Sequence, residues 1–514
     1  MTENERITLP AWKRLVMVLF AIIIFGVQVS VIVFLFFYYQ EISKRFQQVY
    51  LVFEVIGALY VLYIIRKPIN TSYKLTWSIL ILIFPIFFCI LYSVNSTSRR
   101  LSKRKRTKIH KNVELTEVES NIEELKKIDE ESYRMARILA IDTYAPCYSD
   151  SKVEYFSDIS LKFEDMLKEI RNAKEYIFIE TFIISKGFLW DKLYEELYKK
   201  GLEGVQIRIL YDDIGSRGSL TKPLVKKIST IPNCEIASFQ PLGLNINLTA
   251  NYRDHRKITI IDGNVCYCGG DNLADEYIHK KERFGFWRDS CMKYYGRCIF
   301  SFTLFFSEMW YSSTKKVLKF IKRENEYKKY NENEFVVPFG DGPLYTSHTA
   351  YDLFISMISQ ATSSIYISTP YFIIDSAIID LLAIKIRSGI DVKILMPKIP
   401  DKKIPFYMGR ANYRELLTAG GGVYEYTPGF NHSKAVIIDN KYAFIGTINI
   451  DYRSLFLHYE CGALVANSKE INKMSLDFND AINESEKIEY DKWRKRPFIQ
   501  KIIAFIANIF APMF

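Results

Sequence analysis

The feature that most constrains the fold is a short pattern that occurs twice, each time at the start of an apolar run. The pattern reads His, one residue, Lys, four residues, Asp, and its two copies comprise His255, Lys257 and Asp262, then His432, Lys434 and Asp439. The apolar runs between Lys and Asp, ITII and AVII, are typical of buried strands. Because residues i and i+2 of a strand face the same side, each copy projects an imidazole and an ammonium group together.

The two motifs belong to a longer internal repeat. The stretch GVQIRILYDD at Gly204 matches GIDVKILMPK at Gly389, and AKEYIFIETFII at Ala173 resembles ATSSIYISTPYFII at Ala361. Helical and strand-like patterns alternate through both copies, which is typical of α/β folds. We therefore predict two similar α/β lobes, over residues 151–325 and 326–490, that face each other about a pseudo-two-fold axis.

Each motif is followed by further polar residues at matching positions. Seven residues beyond each motif aspartate stands a glycine, and three residues later an asparagine, giving Gly269 with Asn272 and Gly446 with Asn449. A strand hairpin would return these asparagines toward the His-Lys end of the site. Two imidazoles, two ammonium groups and two amides suit a phosphodiester, with one imidazole attacking phosphorus and the other protonating the leaving oxygen.

No metal or other cofactor is expected for this chemistry. The density of carboxylates that a two-metal site requires is missing near the motifs. The eight cysteines include no CxxC pair, so we interpret them as free thiols of a reducing compartment. Four histidines lack the motif spacing and are expected to be ordinary surface or hydrogen-bonded side chains: His110, His279, His348 and His458.

The first 97 residues resemble a membrane anchor of two to three helices. Leu15–Tyr39 carries no charge and is long enough to cross a bilayer, which takes roughly 20 residues. Leu75–Val94 is a second such stretch, in which Pro85 is acceptable for a membrane helix. Val49–Ile65 is shorter and contains Glu54, so its crossing stays open.

A basic run, Arg99–Lys111, follows the apolar stretches within a predicted juxtamembrane linker over residues 98–150. The chain carries a formal charge of +11, which suits either nucleic acid or an anionic membrane surface. The position of the run favours lipid headgroups, and the positive-inside rule then predicts a multi-pass protein of the cell membrane with cytoplasmic lobes. Residues 491–514 combine an apolar surface with a narrow small or polar stripe and preceding cations, which predicts an amphipathic membrane-interface helix.

Three stretches carry a resemblance to a known family: NYRDHRKITIIDG, GGDNLADEYIHKKERFGFWRD and NHSKAVIIDNKYAFIGTINIDYRS. They resemble the paired HKD motifs of the phospholipase D superfamily and, more narrowly, the bacterial cardiolipin synthases. The resemblance implies that His255 and His432 are nucleophile and general acid/base, with attack usually assigned to the first. It also implies that phosphate is held by residues of both motifs: Lys257, Lys434, Asn272, Asn449, Gly269, Gly446 and Thr447.

Other roles follow less directly from this resemblance. Asp262 and Asp439 would act as orienting or electrostatic partners in catalysis. Family members often have Ser after the motif glycine, where this chain has Gly270 and Thr447, so position 270 offers no side-chain ligand. Glu180 and Glu460 are candidate supporting carboxylates, and an ordinary structural role is equally open for each.

The resemblance implies a phosphatidyltransferase that converts two phosphatidylglycerol molecules to cardiolipin and glycerol through a phosphatidyl-histidine intermediate. The expected partners are phosphatidylglycerol and anionic membrane lipids, with no nucleic acid. Three alternatives remain open: a phospholipase D-type hydrolase, a transferase that uses another alcohol, and a membrane-tethered HKD nuclease. A nuclease would need a basic groove in the lobes, whereas the basic run here follows the apolar stretches.

Overall fold

The computed structural model describes residues 30, 33–34, 44–67, 69–96, 109, 119–143, 145–240, 252–318, 326–330, 334–345 and 347–513. The chain divides into two compact units: one contains Met1–Arg99, and the larger one contains Arg100–Gln240 and Asn251–Phe514. The predicted span Leu15–Tyr39 and the basic run Arg99–Lys111 lie almost entirely outside the described residues.

Among its described residues, the smaller unit contains the helices α1 (Lys44–Ile65), α2 (Thr71–Ile83) and α3 (Pro85–Ser96). The predicted span Leu75–Val94 is divided between α2 and α3, because the chain leaves helical geometry at Phe84. Proline disfavours a helical conformation in the residue before it, and Pro85 instead begins α3. None of the helices in the described residues is both long enough and apolar enough to cross a membrane.

In the part of residues 98–150 that the structure describes, the helices α4 (Ile122–Ile128) and α5 (Glu130–Thr143) precede the first lobe. They correct our prediction of a linker over residues 98–150. Met135 and Leu139, one turn apart on α5, are fully buried in the same core as Phe335 and Leu353. An amphipathic helix gains most of its stability from such burial, so this segment is part of the folded unit.

The first lobe is built on a seven-stranded sheet in the order β1-β8-β6-β5-β2-β3-β4. Its elements are β1 (Ser151–Phe156), α6 (Ile159–Asn172), β2 (Tyr176–Thr181), α7 (Phe188–Leu202), β3 (Gln206–Asp212), α8 (Lys222–Ile228), β4 (Cys234–Phe239), β5 (Ile258–Ile261), β6 (Val265–Gly269), a 3-10 turn (Asp275–Ile278), β7 (Phe286–Arg288), β8 (Cys291–Gly296) and α9 (Ile299–Thr314). The first motif spans β5, the central strand of this sheet.

The second lobe is built on an eight-stranded sheet in the order β19-β13-β12-β10-β15-β16-β18-β9. Its elements are β9 (Phe335–Asp341), α10 (Thr349–Gln360), β10 (Ser364–Ser368), β11 (Phe372–Ile373), α11 (Ser376–Arg387), β12 (Asp391–Pro397), α12 (Lys403–Ala411), α13 (Tyr413–Ala419), β13 (Gly422–Tyr426), β14 (Gly429–Asn431), β15 (Ala435–Ile438), β16 (Tyr442–Gly446), β17 (Ile450–Asp451), α14 (Tyr452–Phe456), β18 (Glu460–Ala466), α15 (Glu470–Asn483) and β19 (Ser485–Lys487). After this sheet come α16 (Tyr490–Arg494), α17 (Phe498–Phe510) and a 3-10 turn (Ala511–Met513).

The two sheets repeat one topology, which confirms the predicted α/β fold of two similar lobes. The order β1-β8-β6-β5-β2-β3-β4 corresponds strand by strand to β9-β18-β16-β15-β10-β12-β13. One hydrophobic core contains residues of both sheets, such as Phe178 and Ile437, together with Phe306 of α9 and Phe478 of α15. The lobes therefore share a buried interface and form one structural unit.

Short backbone pairings also cross between the lobes next to the motifs. Strand β14 of the second lobe pairs in parallel with β7 of the first. In the equivalent position, Asp254 forms a parallel bridge with Tyr459. These crossings hold the start of each motif strand against the other lobe.

Candidate active site

Each motif histidine contacts a carboxylate that belongs to the opposite lobe. His255 Nδ1 lies 2.8 Å from Oε1 of Glu460, the first residue of β18. His432 Nδ1 lies 2.6 Å from Oδ2 of Asp289, two residues before β8. Each carboxylate accepts a hydrogen bond from Nδ1 of the imidazole, which fixes the ring orientation and leaves each Nε2 available for chemistry.

The main chain reinforces this crossed arrangement. The backbone N–H of His255 donates to the carbonyl of Tyr459 at 2.9 Å, and that of His432 donates to the carbonyl of Arg288 at 2.7 Å. Tyr459 and Arg288 are the residues directly before the two carboxylates. Each histidine is therefore held through its backbone and its ring by the same segment of the other lobe.

Asp289 and Glu460 occupy equivalent positions of the repeat. Gly269 pairs with Cys291 in the first sheet, and Gly446 pairs with Gly462 in the second, so each carboxylate stands two residues before the partner of the motif glycine. Glu460 was among the residues predicted from the sequence, whereas Asp289 was not. Aligning WRDSC with HYECG on these strands would have revealed it, because the carboxylates then coincide.

Lys257 and Lys434 form a buried pair of cations beside the histidines. Each ammonium group donates to the carbonyl oxygen of its own motif histidine. Within the described residues, neither lysine forms an ion pair with a carboxylate at salt-bridge distance. Burial lowers the pKa of both, to about 7 for Lys434, where the nearby charge of Asp289 opposes the shift. Two such groups define an anion site that a phosphate would complete.

The imidazoles are held in their neutral form before substrate enters. Burial lowers the pKa of His255 well below its usual value, and the charges of Lys257 and Lys434 add to the effect. Burial also lowers the pKa of His432, and the charges of Lys434 and Lys257 lower it further. A neutral imidazole can act as a nucleophile. The histidine that acts as the acid must first gain a proton, and the negative charge of a bound phosphate would favour this protonation.

The two asparagines lie at the predicted turns, and the amide group of each already donates one hydrogen bond. Asn272 Nδ2 donates to the hydroxyl of Tyr277 at 2.7 Å, and Asn449 Nδ2 donates to Asp451 at 3.1 Å. The Tyr277 ring lies 5.5 Å from the His432 ring between centroids, so Asn272 borders the site. Each amide group keeps a second hydrogen that could reach a phosphate oxygen.

The glycines and Thr447 act through packing and through the carboxylates. A Cβ atom on Gly269 or Gly446 would lie 2.5 Å from a carbonyl oxygen of the neighbouring strand. Thr447 Oγ1 donates to Glu460, whereas at the equivalent Gly270 a Cβ atom would lie only 2.1 Å from Oδ1 of Asp289. These residues therefore shape the strands and seat the carboxylates, and their contact with substrate stays a prediction.

Asp262 and Asp439 lie outside the site, which corrects their predicted role in catalysis. They end β5 and β15 at the opposite end from the histidines. Asp262 accepts three backbone N–H groups, from Lys174 to Tyr176, and Asp439 accepts the equivalent three, from Thr362 to Ser364. Both adopt a left-handed backbone conformation, with φ of 52° and 53°. They fix the turn that leads into β2 or β10.

Glu180 differs from Glu460 in its surroundings. It is buried in β2, and neither carboxyl oxygen has a hydrogen-bond partner in the part of the chain that the structure describes. Burial raises the pKa of Glu180, and the charge of neighbouring Asp254 raises it further. The side chain lines a cavity together with Lys257 but hydrogen-bonds to no motif residue, so its predicted supporting role is indirect.

Two further residues near the site were not singled out from the sequence. Lys402, just before α12, is exposed, and its charge adds slightly to the lowering of the pKa of both His255 and His432. His458 is buried with its ring centroid 5.6 Å from that of His255. Its expected assignment as an ordinary surface or hydrogen-bonded histidine is wrong. Lys402 belongs to the short charged sequence DKK, which has no helix or strand periodicity that could have identified it as a residue near the site.

The duplicated lobes and the paired His-Lys strands define a phospholipase D-like protein. A family model described as "Cardiolipin synthase, PLD-like domain" matches residues 166–284 and 354–482. A cardiolipin synthase of Halalkalibacterium halodurans is 33% identical, with 87% of this chain and 90% of that protein covered. An uncharacterized protein of Streptococcus mutans is 35% identical, with 88% and 99% covered. The chain belongs to the cardiolipin synthase family.

A solved structure supports the same fold. The phosphatidylserine synthase of Haemophilus influenzae superposes with a TM-score of 0.56 at 16% identity, over 74% of this chain and 97% of that one. At this identity the likeness concerns the fold alone.

All eight cysteines are free, as predicted from the sequence.

Proposed function

We propose that this protein is a cardiolipin synthase that transfers a phosphatidyl group from one phosphatidylglycerol to a hydroxyl of a second. The observation that carries the proposal is the pair of neutral imidazoles, His255 and His432, set around two buried lysines and each backed by a carboxylate. This arrangement can bind a phosphodiester anion and supply a nucleophile, and the second imidazole becomes the acid once it is protonated with the bound anion.

The proposed reaction has two steps. In the first, His432 has taken up a proton on Nε2 with the bound phosphodiester anion. His255 Nε2 attacks phosphorus, the bond from phosphorus to the glycerol oxygen breaks, and His432 gives that proton to the leaving oxygen. In the second, a glycerol hydroxyl of another phosphatidylglycerol attacks the phosphorus of the phosphatidyl-histidine and passes its proton to His432, and the bond from phosphorus to His255 Nε2 breaks to release cardiolipin. The lysines hold the non-bridging oxygens throughout, and the carboxylates stabilise the imidazolium forms.

Incubation of the purified protein with phosphatidylglycerol, with products resolved by mass, tests this activity. We expect cardiolipin and glycerol, and His255→Ala and His432→Ala should each remove nearly all turnover. His279→Asn, outside the cluster and at a left-handed position that suits Asn, serves as the control. Phosphatidic acid as the main product would instead indicate the hydrolase, and half activity in each variant would indicate two independent sites.

Attachment to an anionic membrane surface is part of the same proposal. Helix α17 leaves bulky apolar side chains exposed, among them Phe498 and Phe505, while Ala504 is buried. This helix packs along α12, which begins directly after Lys402. Lipid that contacts the exposed face of α17 would therefore lie close to Lys402, whose charge acts on both motif histidines.

A matched pair of variants tests the membrane surface. Phe505→Glu places a charge on the exposed face of α17, where Phe505 is 71% exposed. Leu202→Glu makes the same change at a site on the first lobe that is 67% exposed. Phe505→Glu should lower activity on vesicles more than on detergent-dispersed lipid, whereas Leu202→Glu should change both equally. Equal behaviour of the two variants would contradict the proposal.

A further inference from the structure

His458 adds a third imidazole to one half of the site. The residue lies two positions before Glu460, and its side chain is 9% exposed. Neither ring nitrogen has a hydrogen-bond partner in the described part of the chain. Burying an imidazole without a hydrogen-bond partner costs free energy of folding. The position is therefore suited to a ligand from outside the chain that bonds to a ring nitrogen.

The neighbours of His458 complete a donor set for a transition metal. One ligand atom each from His255, His458 and Glu460 lie within 4.8 Å of one another. Glu460 Oε1 is 2.8 Å from His255 Nδ1 and 3.7 Å from His458 Nδ1. A tetrahedral ion with bonds of roughly 2.0–2.2 Å requires donor separations of about 3.3 Å. The two distances bracket that value, so small side-chain shifts would form the site.

We propose that His255, His458 and Glu460 bind a zinc-type divalent ion that inhibits the enzyme. Two histidines and a glutamate with an open fourth position are an established zinc donor set. An ion on Nδ1 of His255 would displace the hydrogen bond to Glu460 and leave the ring proton on Nε2. That nitrogen would then lack the lone pair needed to attack phosphorus.

The other half of the site cannot bind an ion in the same way. The residue two positions before Asp289 is Trp287, whose ring lies 5.6 Å from that of His432. An indole offers no lone pair to a metal. The ion would therefore inhibit through one half of the site only. Inhibition rests on the proposed role of His255, whereas binding of the ion does not.

The direct test measures metal on the lipid-free protein. Purified full-length chain in detergent is titrated with cobalt(II), whose four-coordinate complexes absorb visible light, and bound zinc is counted after equilibrium dialysis. We expect one tight ion per wild-type chain, and its loss in His458→Gln and His458→Asn. His279→Gln is the matched control and should keep the ion. Melting temperatures confirm that each variant is folded.

The second arm measures turnover of phosphatidylglycerol in detergent at buffered zinc concentrations. Zinc should inhibit the wild type reversibly, with activity restored by chelator. The half-inhibitory zinc concentration should rise at least about tenfold in His458→Gln, since even indirect supports of a metal ligand contribute that much. Equal zinc binding and equal inhibition in both proteins would overturn the inference. Absence of cardiolipin would overturn the proposed function alone, because the cobalt titration does not depend on it.

Discussion

Replacing Glu460 with Gln tests whether each histidine depends on a carboxylate from the other lobe. Gln keeps the shape and an acceptor oxygen but removes the negative charge 2.8 Å from His255 Nδ1. A hydrogen bond to a charged group contributes about 1.5–3 kcal/mol. At 1.36 kcal/mol per factor of ten, kcat should fall about 10- to 150-fold. Asp289→Asn should do the same to His432 across 2.6 Å.

The assay uses two substrates to separate nucleophile from acid. Phosphatidylglycerol needs its leaving group protonated, whereas phosphatidyl-p-nitrophenol releases a stable phenolate without a proton. With His255 as the nucleophile, Asp289→Asn and His432→Ala should release nitrophenolate in the first turnover at close to the wild-type rate. Glu460→Gln and His255→Ala should stay slow on both substrates. Melting temperatures show whether the variants remain folded.

The decisive result is how the four variants pair, irrespective of which histidine attacks. Glu460→Gln should behave like His255→Ala, and Asp289→Asn like His432→Ala, even if the two pairs exchange roles. If Glu460→Gln instead paired with His432→Ala, the carboxylates would serve the histidines of their own lobes. That outcome would refute the crossed arrangement as the working form of the site.

Three further changes test neighbouring parts of the site. Thr447→Val removes the hydroxyl that donates to Glu460 and should lower kcat about fivefold, for a loss of about 1 kcal/mol, while Thr447→Ser keeps it near wild type. Gly270→Ala forces Asp289 from its position and should lower kcat on the order of 100-fold without abolishing folding, measured by turnover and thermal melting. Because burial lowers the pKa of Lys434 to about 7, the free enzyme loses this charge as pH rises through 7, so kcat/KM should fall toward about tenfold per pH unit above it. Lys434→Arg should flatten that limb of the pH profile, and an unchanged limb would contradict the assignment.

The sequence was most informative where the repeat and the strand period act together. The two lobes and the central strands follow from in-register motifs on apolar strands, and the structure agrees. The role of Asp262 and Asp439 could not be read in this way. Their spacing from lysine is fixed by the length of the strand, so the same pattern arises whether the carboxylate serves the site or closes a turn.

The contacts between the lobes were the least predictable part of the site. Asp289 and Glu460 lie near the histidines only after both sheets have packed, and nothing local in WRDSC or HYECG specifies that approach. The helix break at Phe84 shows the reverse case, in which a local rule about proline outweighed an apolar pattern. His458 was misjudged because spacing alone does not reveal which polar side chains the fold buries.

Because of the crossed pairing, the two lobes resemble the subunits of a dimer that are joined in one chain. Assembly of the site therefore does not depend on protein concentration. Two separate halves would assemble their site only above some concentration, and each would carry the same residues in both positions. On one chain, specific activity in detergent should stay constant on dilution. The two halves can also differ in sequence, so Thr447 can donate to Glu460 while Gly270 leaves space for Asp289. Such freedom allows two imidazoles that began as equivalents to become specialised for attack and for proton transfer.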